Sequence, residues 1–260
     1  MTDIIAIANP QGGSAKTSTA VNLSCALAAT RRKVLLVDLD PQCSSTVALN
    51  FPRGGEENSL AGVLISGNPI KDTILRYHLG SFDVITANED LTAVPVALYN
   101  EMDGNFRLRH SLSEIAANYD YIFLDCPPSA GSLTINALCA ADYLIIPMPC
   151  EFFALDSMLS LVSLYQRLNA SGEAQLKLLG IVRTIYDESR NLSKEISDEL
   201  KVQFKDLLFD SVIAYNEKIS EATSAGRPIM LYDKSSTGAR AYLTLAGELL
   251  QKMRQSRMIR

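Results

Sequence analysis

The feature that most constrains this chain is its opening stretch, Asp3–Ala20, which reads DIIAIANPQGGSAKTSTA. A short apolar run precedes Gly12 and Gly13, and apolar residues at helical spacing follow them. This order of strand, glycine turn and helix is the context that a phosphate-binding loop requires. Glycine lets backbone N–H groups approach phosphates, and a helix N-terminus adds unpaired donors and a positive dipole. In such a loop Lys16 would reach the β- and γ-phosphates, and Thr17 would supply a hydroxyl to Mg²⁺.

The loop departs from the usual pattern of P-loop proteins, G-x-x-x-x-G-K-[ST]. Gly12 lies four residues before Lys16, and Ala15 occupies the place of the last glycine. The stretch alone therefore also fits a glycine-rich turn between a strand and a helix in another kind of α/β protein. Residues on later strands have to decide between the two interpretations.

Segments typical of strands alternate along the chain with segments typical of helices. The strand-like, apolar runs are Ile4–Ala8, Val34–Val37, Phe82–Thr86, Tyr121–Leu124, Tyr143–Pro147 and Leu178–Val182. The helical patterns are Thr17–Ala29, Leu91–Tyr99, Phe106–Asn118, Leu133–Ala140, Leu155–Leu168, Leu192–Phe204 and Arg240–Met253. The alternation predicts a doubly wound α/β fold, with a mostly parallel sheet and helices on both faces. We expect residues 1–260 to form a single domain, with Phe51–Ser59 as a surface loop.

Composition narrows the class of protein. A hydrophobic fraction of 47% is ample for a core, and no run of apolar residues is long enough to span a bilayer. The first strand begins at once, so we expect no signal peptide and a cytoplasmic location. Five cysteines, an odd number without metal-like spacing, argue against a disulfide framework, and two histidines alone cannot hold a metal.

Three aspartates follow predicted strands. The run VLLVDLDPQ delivers Asp38 and Asp40, and YIFLDCPPS delivers Asp125 after four apolar residues. Carboxylates that point into one pocket repel each other unless a cation or a positioned water separates them, and a Mg²⁺–nucleotide site supplies both. Asp125 also has the form of a Walker B carboxylate, which helps to hold Mg²⁺ in P-loop proteins. Each acid alone could instead be a helix cap or a strand-end residue.

Taken together, these motifs resemble the ParA/MinD family of deviant Walker-motif ATPases, most of all the short, Soj-like ParA proteins. The resemblance covers nearly the whole chain. It is carried by NPQGGSAKTSTAVNL, KVLLVDLDPQ, YDYIFLDCPPS, PCEFFAL and ISEATSAGRPIMLYDKSSTGARAYLTLA. It implies a P-loop ATPase that hydrolyses ATP to ADP and phosphate, slowly and under the stimulation of a partner, with ATP and Mg²⁺ as ligands.

The resemblance also implies roles for individual residues. Lys16 and Asp38 would be catalytic, with Asp38 orienting the attacking water, and Thr17, Asp40 and Asp125 would surround Mg²⁺. The nucleotide would be bound by Gln11, Gly12, Gly13, Ser14, Ala15, Lys16, Thr17, Ser18 and, at the adenine, Asn216.

Family members form a homodimer around two ATP molecules, bind DNA without sequence preference in that state and release it after hydrolysis. A ParB-like adaptor stimulates the hydrolysis. By resemblance the chain would be associated with the nucleoid and would segregate chromosome or plasmid DNA. The bases we expect to contact DNA are Arg190, Lys194, Lys218, Arg227 and Arg240. The alternative is that they are scattered solubilising charges, because Glu195, Asp198 and Glu199 are interleaved with them.

Three positions depart from the family pattern. Gln11 stands where the family has the signature lysine that reaches across the dimer, and its lack of charge predicts weaker dimerisation and weaker transition-state stabilisation. Ala15 replaces a glycine and is expected to narrow the loop. The sequence Ile213–Asn216 replaces I-P-R-N and so lacks an arginine associated with DNA contact.

Four other functions stay open from sequence alone. Relatives that position protein cargo, such as the carboxysome-distributing ATPases, also lack the signature lysine. A MinD-like membrane-associated regulator would need an amphipathic C-terminus, for which Met253, Met258 and Ile259 are few, so membrane binding is not expected. An ATP-dependent ligase of small molecules would need a further substrate pocket. A nucleotide-binding scaffold without turnover is compatible with Gln11.

Overall fold

A computed structural model describes residues 2–54 and 58–258 of the chain. Its eight strands are β1 (Asp3–Ile7), β2 (Val34–Asp38), β3 (Ile74–Tyr77), β4 (Phe82–Ile85), β5 (Tyr121–Asp125), β6 (Tyr143–Pro149), β7 (Lys177–Tyr186) and β8 (Leu208–Ala214). Its α-helices are α1 (Lys16–Ala28), α2 (Ser44–Ala48), α3 (Leu60–Ser66), α4 (Val94–Ala97), α5 (Arg107–Ser113), α6 (Ser132–Ala140), α7 (Ala154–Ala170), α8 (Asn191–Gln203), α9 (Glu217–Ser224), α10 (Ile229–Tyr232) and α11 (Thr237–Met258).

The strands form one sheet in the order β3-β4-β2-β5-β1-β6-β7-β8. All neighbours are parallel except the edge pair of β3 and β4. The sheet separates two hydrophobic clusters. One contains the apolar faces of α3, α5, α6 and α7, and the other contains those of α1 and α11. The predicted doubly wound fold with helices on both faces is therefore confirmed.

Burial on both faces explains why the central strands are continuous apolar runs. Every residue of β2, β5 and β6 is buried. A strand that is covered on both sides needs apolar side chains at every position rather than at alternate ones. The carboxyl ends of these parallel strands meet at one edge of the sheet, and this arrangement brings the predicted site residues together.

The structure differs from the predicted elements at the sheet edges and in two helices, and the short helices α2, α3, α9 and α10 were not predicted. Of the predicted helix Phe106–Asn118, only α5 is α-helical, with a 3₁₀ turn on either side. Strands β3 and β8 were not predicted, because a half-exposed edge strand carries only a short or alternating apolar pattern. The predicted helix Leu91–Tyr99 is a 3₁₀ turn followed by the single turn of α4, where a proline lies near the N-terminus. The loop predicted at Phe51–Ser59 has no regular structure up to Gly54, and residues 55–57 lie outside the described residues.

The C-terminal helix packs against the sheet as predicted. Leu245, Leu249 and Met253 of α11 are buried in the same cluster as α1. Ile259 lies outside the described residues. In residues 2–54 and 58–258, no helix combines the length and the apolar character needed to cross a membrane.

Candidate functional site

The predicted phosphate loop joins the end of β1 to the start of α1. Gly13 has φ 73° and Ala15 has φ 65°, so the chain enters α1 through two left-handed residues. Gly12 and Gly13 are exposed, and a Cβ built on either would meet nothing within 4 Å. The loop backbone is thus open to a ligand at the N-terminus of α1, where helical N–H groups have no partner within the helix.

Lys16, the first residue of α1, is buried and turns back onto its own loop. Its Nζ donates to the backbone oxygen of Gln11 at 2.9 Å and to Ser14 Oγ at 3.3 Å. Burial lowers the pKa of Lys16, while the charges of Asp125 and Asp40 oppose that shift. The ammonium therefore lies inside the loop and among carboxylates, where it can neutralise an anion.

Asp38 ends β2 and is fully buried. Its Oδ2 accepts from the backbone N–H and the hydroxyl of Thr46 at 2.8 and 2.7 Å, and its Oδ1 accepts from the backbone N–H of Asp40 at 3.1 Å. Burial raises its pKa to about 7, and the charge of Asp125 adds to the shift. Asp38 thus anchors the segment that follows β2 and titrates near neutral pH.

Asp125 ends β5, the strand beside β2, and is also fully buried. Its Oδ2 accepts from Ser45 Oγ at 2.6 Å, whereas its Oδ1 is buried without a hydrogen-bond partner among the described residues. Burial raises its pKa to about 6, against the opposing effects of Ser45, Thr17 and Lys16. A buried carboxylate oxygen without a partner is costly, and a cation or a bound water would satisfy it.

Asp40 lies just after β2 and faces the loop. Its Oδ1 accepts from the backbone N–H of Gln42 at 2.9 Å, and Ser44 Oγ lies 3.4 Å from its Oδ2. In the described part of the chain, no three His, Cys, Asp or Glu side chains form a group that could hold a metal ion. The carboxylates of Asp40 and Asp125 and the hydroxyl of Thr17 are oxygen donors of the kind that suits Mg²⁺. This ion is usually bound by one or two carboxylates together with phosphates and waters.

A cavity of about 470 Å³ unites most of the predicted residues. Its lining includes the polar loop Gly12–Ser18 and Asp40, and the apolar side chains of Ile185, Ile213 and Ile219. Asn216 also lines the cavity. It caps α9 by accepting from the backbone N–H of Lys218 at 2.9 Å, and its Nδ2 donates to Thr237 Oγ1 at 2.7 Å.

Three predicted residues do not line this cavity. Asp38 and Asp125 are the last residues of β2 and β5 and are fully buried, and Gln11 is half-buried beside the loop. The backbone of Gln11 is used by Asn9 and Lys16, while its Oε1 is buried without a partner among the described residues. The cavity therefore contains the loop, one of the three acids and the asparagine.

Sequence reasoning missed the hydroxyl residues that hold the two buried acids. Ser45 and Thr46 of α2 donate to Asp125 and Asp38, and Thr46 Oγ1 also accepts from the backbone N–H of Ala87 at 2.9 Å. Thr184 of β7 was missed as well, and its hydroxyl donates to the backbone oxygen of Ser14 at 3.1 Å. For Ser45 and Thr46 the available signal was the run CSST, which begins three residues after Asp40, because hydroxyls close to strand-end acids are natural donors.

The bases predicted to contact DNA are all exposed, but they differ in how they are engaged. Arg190 pairs with Asp187 at 3.1 Å, and Lys218 pairs with Glu221 at 2.7 Å. Arg240 donates to the backbone oxygen of Ser235 at 2.8 Å. Lys194 and Arg227 form no ion pair within residues 2–54 and 58–258. None of the five lines the cavity, and their contact with DNA stays a prediction.

Known proteins agree with this geometry. A family model described as an AAA domain matches residues 2–178. The chromosome partitioning protein ParA of Caulobacter vibrioides is 40% identical over 253 residues, which cover 96% of this chain and 95% of that protein. The sporulation initiation inhibitor protein Soj of Bacillus subtilis is 39% identical over 249 residues, 96% of this chain and 98% of that protein.

The chain belongs to the ParA/MinD family.

A solved structure supports the same fold. Cobyrinic acid a,c-diamide synthase from Mycobacterium smegmatis, with bound ATP analog and magnesium, has a TM-score of 0.86 at 28% identity. The match covers 98% of this chain and 97% of that one. The predicted resemblance to ParA/MinD proteins, and to Soj-like members in particular, is therefore confirmed.

Proposed function

We propose that this chain is a single ParA-type ATPase domain. It binds MgATP, forms a homodimer around the nucleotide, holds DNA without sequence preference and hydrolyses ATP to reset the cycle. A ParB-like adaptor stimulates hydrolysis, and the protein acts in the cytoplasm on the nucleoid to segregate chromosome or plasmid DNA. The proposal is supported by the similarity to ParA of Caulobacter vibrioides and to Soj of Bacillus subtilis.

One observation carries the nucleotide part of the proposal. The exposed Gly12–Gly13 backbone, the N-terminus of α1 and the side chain of Asp40 surround one cavity, with Lys16 at its base. Donors, a positive helix end and a carboxylate in one lining suit a phosphate chain with its metal ion. The apolar residues that line the cavity together with Asn216 suit a base.

The residues also fit a magnesium ion. Asp125 has a buried oxygen without a partner among the described residues, and Thr17 lies close enough to influence its pKa. We propose that Thr17, Asp40 and Asp125 hold Mg²⁺ through their oxygens and through waters. Bound Mg²⁺ would neutralise phosphate charge and orient the phosphate oxygens.

In the proposed mechanism Lys16 offsets the negative charge of the β- and γ-phosphates, and the loop N–H groups hold them in place. Asp38 orients the attacking water. Among the described residues, Asp38 accepts two hydrogen bonds from Thr46 at Oδ2 and one from Asp40 at Oδ1, so Oδ1 can accept one more from the water. A pKa near neutral leaves the Asp38 carboxylate able to accept and return a proton within one cycle.

Retention of fluorescent duplex DNA tests the proposal. It is measured with ATP, with ADP and without nucleotide, each at 50 and 200 mM salt. We expect retention with ATP only, and a steep loss of retention at the higher salt. Equal retention in all three nucleotide states would contradict the ATP-dependent part. No retention at low salt with ATP would contradict DNA binding.

A further inference from the structure

A second cavity, of about 780 Å³, lies at the edge of the sheet opposite the phosphate loop. It is formed where the turn after α1 leads into β2 and where β4 and β5 begin. Its lining includes four basic residues, Arg31, Arg32, Lys33 and Arg76. The nucleotide site is at the carboxyl ends of the strands, so this basic edge is spatially separate from it.

The basic residues of this edge differ in whether they form ion pairs. Arg76 pairs with Asp83 at 2.7 Å, and Asp83 also accepts from the hydroxyl of Tyr119 at 2.9 Å. By contrast, the side chains in the turn Arg31–Lys33 are exposed and form no ion pair in the described part of the chain. Three consecutive positive charges therefore point into solvent beside the cavity.

The acidic side chains at this edge form an ion pair or accept hydrogen bonds from the backbone. Asp3 pairs with Arg257 of α11, and Asp142 accepts from the backbone N–H of Ile4 at 2.9 Å. Asp120 accepts from the backbone N–H of Lys33 at 2.8 Å. Asp120 and Asp142 keep their negative charge, because a hydrogen bond from a backbone N–H does not neutralise a carboxylate. The three bases of the turn Arg31–Lys33, which are unpaired among the described residues, therefore give this edge a small excess of positive charge.

The conformation of the turn indicates that these charges are not there to stabilise α1. Helix α1 ends at Ala28 and has no base in its last turn, so the bases lie beyond the range over which the helix dipole acts strongly. Arg31 has φ 63°, a left-handed conformation that favours glycine. A charged side chain is thus kept at a position where the backbone alone would favour glycine.

We propose that the turn Arg31–Lys33 is a phosphate-contact surface for duplex DNA. This inference rests on the proposed function. DNA is favoured over a small anion because every basic side chain of the cavity is exposed, whereas a site for one small anion needs buried donors. Exposed, mobile bases in a row suit the repeated phosphates of a duplex, which they contact without reading sequence. Two of the bases predicted from sequence, Arg190 and Lys218, are instead partly neutralised by acids.

A pair of charge-matched variants tests the proposal. The test variant is Arg31→Gln, Arg32→Gln and Lys33→Gln together. The control is Lys71→Gln, Arg109→Gln and Arg167→Gln, which removes the same charge from three exposed bases elsewhere. Binding of labelled duplex DNA with ATP is followed by fluorescence anisotropy from 50 to 200 mM salt. The slope of log affinity against log salt is negative, and we expect it to become less steep by about 2–3 in the test variant and to stay unchanged in the control.

The outcomes separate this inference from the function on which it rests. If the unmodified protein does not bind DNA with ATP, the proposed function fails. If it binds, and both triple variants have the same slope and affinity, the turn is not the contact surface and the proposed function stands. Circular dichroism melting reports folding of each variant. Arg32→Gln alone, which keeps the left-handed Arg31, should make the slope less steep by about 1, and it replaces the triple variant as the test if that variant does not fold.

Discussion

Asp38 and Asp125 lie opposite each other in register on the adjacent parallel strands β2 and β5, and both are fully buried. Ile7 of β1 is the partner of Asp125 on its other side, so the phosphate loop leaves the sheet beside the same pair. Burial raises the pKa of each carboxyl, and the charge of Asp125 raises the pKa of Asp38 further, so ionising both is costly. The site therefore carries an electrostatic cost that a bound cation relieves.

This cost predicts how stability depends on pH. A carboxyl whose pKa is raised on folding costs nothing below its unfolded pKa of 3.8, and its full cost is present above the folded value, about 6 for Asp125. Stability without Mg²⁺ should therefore fall as pH rises through this range. Asp125→Asn removes the cost and keeps an oxygen for Ser45. We expect it to raise the free energy of unfolding at pH 8 by about 1–3 kcal/mol.

Urea unfolding at pH 4.5 and pH 8 measures the effect. The gain from Asp125→Asn should be much smaller at pH 4.5, where the native carboxyl is protonated. Asp72→Asn, at an exposed carboxylate, is the control and should change stability by less than about 0.5 kcal/mol at either pH. A variant less stable than the unmodified protein at pH 8 would show that the ionised pair is not costly.

The left-handed Ala15 predicts a second effect on stability. A Cβ at φ 65° costs about 1–2 kcal/mol, and glycine removes this cost while adding about 0.4–1 kcal/mol of unfolded-state entropy. Ala15→Gly should therefore raise the free energy of unfolding by up to about 1 kcal/mol. Ala29→Gly, at the exposed end of α1 with φ −61°, should lower it by about 0.5–1 kcal/mol. Thermal and urea melts of the two variants should move in opposite directions.

The central strands and the positions of the aspartates that end them were predictable from sequence for one physical reason. Buried parallel strands are continuous apolar runs, and an aspartate that ends such a run has to lie at the ligand-binding edge. This reasoning located Asp38 and Asp125 correctly. It could not locate β3 and β8, because edge strands are partly solvated, nor Thr46, whose role depends on where the short helix α2 turns back against the sheet.

Loss of the Lys16 charge should weaken nucleotide binding directly. Lys16→Gln keeps most of the stem and a donor but removes the ammonium from the base of the cavity. We expect MgATP affinity to fall about 10- to 100-fold, since hydrogen bonds to charged groups contribute about 1.5–3 kcal/mol. Isothermal titration with a non-hydrolysable ATP analogue measures it, with Lys71→Gln as the control. Unchanged affinity in Lys16→Gln would show that Lys16 does not bind the phosphates.

Substitutions at Gln11 test whether the positive charge of the family's signature lysine, which this chain lacks, limits dimerisation and hydrolysis. Its Oε1 is buried without a partner among the described residues, so the side chain gains little from its present position. Gln11→Lys should strengthen ATP-dependent dimerisation, measured by light scattering after gel filtration, and raise phosphate release. Gln11→Glu, of nearly the same shape, should weaken both because it adds negative charge beside the phosphates. Two variants that behave alike would show that charge at this position does not limit assembly.

Asp38 and Thr46 should act as a unit in turnover. Asp38→Asn keeps the shape and an acceptor for Thr46, so we expect ATP affinity to be retained while phosphate release falls about 100-fold, because the proton-accepting charge is gone. Thr46→Val removes the hydroxyl that donates to Asp38 and should slow turnover about 10-fold. It also leaves the backbone N–H of Ala87 without its acceptor, which should cost about 1–3 kcal/mol of stability.

Rescue distinguishes positioning from a general loss of structure. Thr46→Ser restores the hydroxyl without the methyl group and should recover most of the turnover that Thr46→Val loses. If Thr46→Ser recovers stability but not phosphate release, the hydroxyl holds the fold and does not position Asp38. If Asp38→Asn turns over at the unmodified rate, the water is oriented by another group. Asp40, whose side chain lines the cavity, would then be the acid to replace, because it is the one of the three strand-end carboxylates that faces the phosphate loop directly.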